Sequence, residues 1–383
     1  TARLARCQVD DVDLFDLAHD YATPSAGGQW QALVPARPGL PSTYYVRLDR
    51  HPRHWPRLRL LSEGPAREEV LSLPWRHRLD LHRARICDVL PDGLRVPTLH
   101  HVERFDDDHV GLWWELVRDR GGRWSDDELG RAAYLLGRLA ARRREGAEVN
   151  HALPAYEWDG GSAVRRQLEQ VLATRLPRLR DDGTWQHPAV EDALTASGDT
   201  RLRHDLLQLS DALPAVVDRL DRLPQTYAHG DAAPRNLLRP PQEPDTVVVT
   251  GWGLPCLYPV GYDVATLLVG QAEDGLVDAA ELARLATVVC DGYRMGLEEE
   301  GYAASAEQVG HGFLGTLLLR YAFWQLPVEA LRANLPPTVF VRVRRRLALS
   351  RAVVDLAAAP ARPAPDGRSA GLAPQAPIPH SHS

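Results

Sequence analysis

Strand-like patterns are crowded into the first third of this chain and helical periods fill almost everything after it, an asymmetry that restricts the fold more than any other feature. Residues 30–49, "WQALVPARPGLPSTYYVRLD", read as a strand, a turn rich in Pro and Gly, and a second strand of aromatic and β-branched residues, the pattern of a hairpin. "HVGLWWELV", residues 109–117, reads as a buried strand. Between them, Pro65 opens a short helix in "EGPAREEVLSLPWRHRL" whose length Pro74 limits. Farther on, Ser125 and Glu128 make a capping box, and Leu129, Ala132, Ala133, Leu136 and Leu139 fall on one face of the helix it starts. Leu202, Leu206, Leu209, Leu213, Val216 and Leu220 recur at threes and fours, which predicts a helix over 201–222 despite Pro214. Helical patterns follow at 277–297 and 309–326, then in the arginine-rich "RVRRRLALSRAVVDLAA"; "TVVVTGW" is the one strongly β-branched run of this half. The acidic first 25 residues, with an apolar patch of Val12, Leu14, Phe15 and Leu17, predict one docked helix. The expected organisation is α+β and two-lobed: an extension over 1–29, a small β-rich lobe over 30–117 ending in a hinge strand at 113–117, a large helical lobe over 118–358, and a Pro/Ala tail over 359–383 that cannot bury a core and is expected to be disordered.

Composition removes several classes of function. Charged residues at 25% and hydrophobic residues at 44% fit a globular protein, and no apolar run approaches the roughly 18 residues that span a bilayer. Acids interrupt every apolar run near the N-terminus, so no signal peptide is read there and a cytoplasmic location without membrane association is expected. Cys7, Cys87, Cys256 and Cys290 lie far apart with no zinc-type spacing, which predicts free thiols and no structural metal. A net charge of −6 argues against a nucleic-acid partner. No GxSxG elbow, no GxGxxG after a strand and no HExxH is present, so serine hydrolase, dinucleotide-binding and zinc-protease readings fall away. All 45 basic residues are arginine; the chain contains no lysine.

The residues that carry chemistry stand at 226–241, "TYAHGDAAPRNLLRPP". Phosphoryl transfer to a hydroxyl requires an acid near the attacking oxygen, a ligand for the Mg²⁺ that bridges the phosphates, and cations that offset developing charge. An Asp and an Asn five residues apart on a tight loop supply the first two, and Asp231 and Asn236 have that spacing, with His229, Gly230 and Pro234 shaping the turn. With the downstream "GWGLPCLYPVGYDVATLL", the hinge-like "LWWELV" and the helix "ELGRAAYLLGRLAA", the loop resembles the aminoglycoside phosphotransferase and choline kinase superfamily over roughly residues 30–350. The resemblance implies a protein-kinase-like fold, ATP and Mg²⁺ as cofactors, Asp231 as the catalytic acid, Asn236 as a metal ligand, and adenine held by the hinge backbone between Glu115 and Val117. Asp263, in "GYDVA", is implied to brace the catalytic loop rather than to react.

Two departures from that pattern stand out. Where the family carries a second metal-binding Asp before the tryptophan, this chain has Gly251, which ligates nothing. Where the family carries a phosphate-contacting lysine paired with a helix glutamate, the strand "YYVRLD" offers Arg47, with Glu69 or Glu68 as its acid; a solvated strand arginine is an equal reading. Two classes of function therefore stay open. One is an ATP-dependent phosphotransferase acting on a hydroxyl of a small metabolite, an antibiotic or a precursor peptide. The other is a pseudokinase, a binding or regulatory subunit for a partner enzyme.

Overall fold

The computed structural model describes residues 11–17, 23–36, 38–39, 41–156, 162–254, 256–323, 325 and 337–358. The tail expected to be disordered, 359–383, lies outside them. Chain order begins with β1 (Asp13–Asp16), β2 (Ala26–Leu33), β3 (Thr43–Arg50), α1 (Pro65–Ser72), α2 (His77–Arg83), β4 (Leu94–Arg95), β5 (Leu99–Arg104) and β6 (His109–Glu115). Five of these strands make one antiparallel sheet in the order β1-β2-β3-β6-β5. The helix expected in residues 1–25 is instead, over Asp13–Asp16, an edge strand on β2. Its backbone groups find partners on that open edge, whereas Leu14 and Phe15 stay exposed and offer no apolar helical face to bury. The sheet thus reaches back before residue 30, the point at which the strand-rich lobe was expected to begin.

Period-two alternation gives the sheet two unlike faces. Tyr44 and Val46 of β3 pack with Trp113 and Ala32 on one face. Tyr45, Arg47 and Asp49 point to the other, where Val110 and Leu112 of β6 are covered by Trp75 and by Leu79 of α2. That second face looks toward the large lobe.

The large lobe opens with α3 (Asp126–Arg142), which starts at the predicted capping box: Ser125 accepts from the Glu128 amide and Glu128 accepts from the Ser125 amide. All five apolar residues assigned to its inner face are buried. It continues through α4 (Ala163–Gln170), α5 (Leu202–Asp221, with Pro214 inside), β7 (Gln225–Tyr227), β8 (Leu237–Leu238), β9 (Val247–Val249), β10 (Leu257–Pro259), α6 (Tyr262–Glu273), α7 (Leu282–Glu299), α8 (Ala306–Leu317) and α9 (Pro337–Ala358). α3 and α7 cross closely enough that a Cβ at Gly137 would lie 2.1 Å from Tyr293 O and one at Gly296 2.0 Å from Tyr134 O, so no larger residue fits this contact. Two short sheets, β4-β9-β8 and β7-β10, frame the loop 228–236. No helix among the described residues is long and apolar enough to cross a membrane.

Candidate active site

The loop that follows β7 is pinned from beneath. Asp263, in the first turn of α6 and almost fully buried, accepts the His229 amide through Oδ2 at 2.7 Å and the Gly230 amide through Oδ1 at 2.9 Å. Burial pushes the Asp263 carboxyl up, and His229 together with the two amides only partly pulls it back. The bracing role implied for Asp263 is what this geometry performs. His229, wholly buried, has Nε2 2.8 Å from Thr250 O and Nδ1 3.3 Å from the Asp231 amide, and its ring lies on Trp252 with centroids 4.7 Å apart. A ring that donates at Nε2 and accepts at Nδ1 is a neutral tautomer, and burial lowers its pKa in the same sense.

Asp231 is held by both carboxylate oxygens. The Asn236 Nδ2 donates to Oδ2 at 2.9 Å and to the Asp231 carbonyl at 2.8 Å; two acceptors fix which end of the amide faces them. On Oδ1, Arg320 donates through Nη2 at 2.8 Å and Arg235 at 3.4 Å. Arg320 lies in a π-helical turn that prolongs α8, Leu318–Ala322, and its Nη1 reaches Gly230 O and the Tyr262 hydroxyl, both at 3.0 Å. Burial opposes its charge, but Tyr262, Tyr321 and Asp231 outweigh that and hold its pKa above the ordinary arginine value. This residue was not among the expected site residues. Its signal in the sequence is a single cation inside the apolar run "GFLGTLLLRYAF", a position that demands a buried partner.

Between the lobes lies a cleft of about 360 Å³. Of the expected site residues, Arg47, Glu115, Val117 and Asn236 line it, and Asp231 joins that wall through its bond to Asn236. Glu69 does not. Its carboxylate binds Arg166 of α4, while Arg47 donates through Nε to Asp49 Oδ1 at 2.6 Å. The expected pairing of Arg47 with Glu69 is therefore replaced by one two residues along the same strand, on the same face of the sheet. Burial depresses the Arg47 guanidinium, but Asp49 and Tyr45 more than compensate and its pKa rises.

α2 brings a second guanidinium to this wall. Arg78 lines the cleft beside Arg47, and its Nη1 is buried with no hydrogen-bond partner. Burial, then the adjacent Arg47, lower its pKa to about 10. The neighbouring His77 ties α2 to the large lobe: its Nε2 lies 3.0 Å from Trp252 O and its Nδ1 2.9 Å from Pro74 O. Burial, with Arg78 beside it, brings His77 down to about 4.

The hinge side of the cleft departs from expectation in part. Glu115 spends its side chain on Arg95, at 2.8 Å for each of two bonds, and its amide on Thr98 O at 2.8 Å. The backbones of Leu116 and Val117 make no backbone hydrogen bond among the described residues, so the edge groups facing the cleft come from these two. Arg239 fixes the segment beyond: its amide donates to Asp119 Oδ1 at 2.6 Å and its Nη2 to Gly121 O at 2.6 Å.

The donor set does not fit the Mg²⁺ site that the resemblance implies. Gly251 has φ +59°, and a Cβ built on it would lie 2.2 Å from Asn236 Oδ1. Asn236 thus fills the volume in which a carboxylate at 251 would begin, and its amide nitrogen is committed to Asp231. Among the described residues no group of three or more His, Cys, Asp or Glu side chains is placed to hold a metal ion. Magnesium prefers an octahedron of oxygens including one or two carboxylates, and the single acid here already carries a guanidinium.

Residues 41–303 match the phosphotransferase enzyme family. No curated protein matches the chain by sequence. Solved structures share the fold at low identity. An aminoglycoside phosphotransferase from Alicyclobacillus acidocaldarius is 15% identical with a TM-score of 0.52, covering 91% of this chain and 92% of that one. The amicoumacin kinase hAmiN, in complex with AMP-PNP, Ca²⁺ and Ami, is 14% identical with a TM-score of 0.50 and 89% coverage of both chains. A thermostable mutant of another aminoglycoside phosphotransferase, in ternary complex with ADP and hygromycin B, is 11% identical with a TM-score of 0.50, covering 91% and 95%. The two-lobed, kinase-like fold is the one these structures have in common with this chain.

Proposed function

Because this chain belongs to the phosphotransferase enzyme family, we propose that it transfers a phosphoryl group from ATP to a hydroxyl of a small molecule or peptide. The observation that carries this reading is Asp231, an acid fixed at both oxygens beside a cleft between two lobes. The transition state of phosphoryl transfer is loose, so catalysis is mostly positioning and an acid that orients the hydroxyl suffices. Adenine would meet the open backbone edges of Leu116 and Val117, with the phosphates directed toward Arg47. Arg235 and Arg320 crowd the acceptor end with positive charge, which disfavours a polycationic acceptor and favours a neutral or anionic one.

A second reading, a binding subunit without transfer chemistry, is favoured by one observation: Gly251 and Asn236 together leave no carboxylate for a metal. Labelled γ-phosphate offered with a panel of hydroxylated metabolites and peptides separates the two. Transfer that Asp231→Asn removes supports the enzyme; nucleotide binding with no transfer to any acceptor supports the subunit.

A further inference from the structure

The cleft wall beside Gly251 is itself cationic. Arg47, Arg78 and Arg235 line it, and Glu115, the acid among its lining residues, is already bound to Arg95. Asp49 offsets Arg47 through its bond to it, and Asp231 stands 3.4 Å from Arg235. Arg78 is placed differently: its Nη1 is buried with no hydrogen-bond partner, Arg47 repels it, and Asp49 and Asp231 attract it without a hydrogen bond to it. A buried donor left without an acceptor costs about 1–3 kcal/mol, and no acceptor among the described residues meets Nη1. Guanidinium is a planar fork that matches phosphate oxygens, and two such forks on adjoining elements can grip an anion that would otherwise need a bridging cation.

We infer that this cleft binds the polyphosphate of a nucleotide directly through Arg78 and Arg47, with no divalent cation between protein and phosphate. The inference rests on reading the cleft as the nucleotide site. It assigns to α2 a phosphate-binding residue, and it accounts for Gly251 and Arg78 occurring together: the loop gives up a cation ligand where the helix gains a cation.

The test is equilibrium binding of ATP, adenosine and inorganic tripolyphosphate to the full chain, in EDTA and in Mg²⁺, for the parent and for Arg78→Gln. ATP should bind at least as tightly in EDTA as in Mg²⁺, since Mg²⁺ neutralises the charge that the arginines recognise. Tripolyphosphate should compete with it. Arg78→Gln should weaken ATP by about ten- to a hundredfold, the range for a charge-assisted hydrogen bond, and leave adenosine unchanged. The same substitution should leave Tm of the ligand-free protein within a few degrees of the parent, because Nη1 makes no hydrogen bond that the change would break. Binding of ATP that requires Mg²⁺, or an unchanged ATP affinity in Arg78→Gln, would overturn the inference, as would a lowered Tm with affinity retained. Adenosine separates the two levels of the argument. If it binds and ATP binds no tighter, the phosphate assignment fails while the nucleotide cleft stands; if neither binds, the nucleotide reading fails and takes the inference with it.

Discussion

The loop 228–236 and the cleft wall beside it are built to different standards of completion. Around Asp231 the polar groups are tied to one another: Asp263 accepts two amides, His229 bridges Thr250 and Asp231, and the Asp231 carboxylate is satisfied from Asn236 and Arg320. On the cleft wall Arg78 Nη1 and Asp49 Oδ2 are buried without hydrogen-bond partners, and glycine stands where a carboxylate is expected. A satisfied network rigidifies and a half-satisfied one is costly, so the contrast marks the loop as a finished scaffold and the wall as a surface shaped for a ligand. It teaches that Gly251 stands beside an acid whose supports are in place.

Several changes would break or sharpen this contrast. The largest effect is expected from Asp231→Asn, which should lower phosphoryl transfer by about 10²- to 10⁴-fold, measured as labelled phosphate appearing on the acceptor, with far-UV circular dichroism unchanged. Next is Asp263→Ala. It strands two buried amides at about 1–3 kcal/mol each, so denaturant unfolding should show a loss of several kcal/mol. Gly251→Asp should cost about 3 kcal/mol, because it places a side chain at positive φ and against Asn236; it should bring no Mg²⁺-dependent gain in ATP binding, and such a gain with unchanged stability would erase the contrast. Acid should act through the two buried imidazoles. The folded pKa of His77, about 4, lies below the unfolded value near 6.5, so the unfolded state takes up more protons between those values. Their contribution is complete above about pH 6.5 and is lost as pH falls toward 4, by about 2 kcal/mol at pH 5, and His229 adds to it with the same sign. Unfolding curves at the two pH values for the parent and His77→Gln check this. The smallest effect is expected from Glu69→Gln: it removes a half-exposed pair with Arg166, should cost less than about 1 kcal/mol, and should leave ATP affinity unchanged.

What could be read from the sequence follows the range of the interactions involved. The capping box at Ser125 and Glu128, the stripe of α3 and the five-residue spacing from Asp231 to Asn236 are local patterns, and the structure contains each of them. Pairing of Arg47 with Glu69 or Glu68 would need a tertiary approach that sequence spacing does not encode, whereas Asp49, its partner, lies two residues away on the same face. Asp13–Asp16 was taken into a helix because four residues are too few to show a period, and only the open edge of β2 decides their state. Arg320 stands 89 residues from Asp231, and Arg78 gives no local hint at all in "LPWRHRLDL".

The bond between His77 and the carbonyl of Trp252 has a mechanical consequence. The indole it steadies is the one on which His229 rests, and His229 in turn receives the amide of Asp231. The strand-bearing lobe is therefore not a loose flap over the crevice: it is tied, through one imidazole and then another, to the backbone of Asp231.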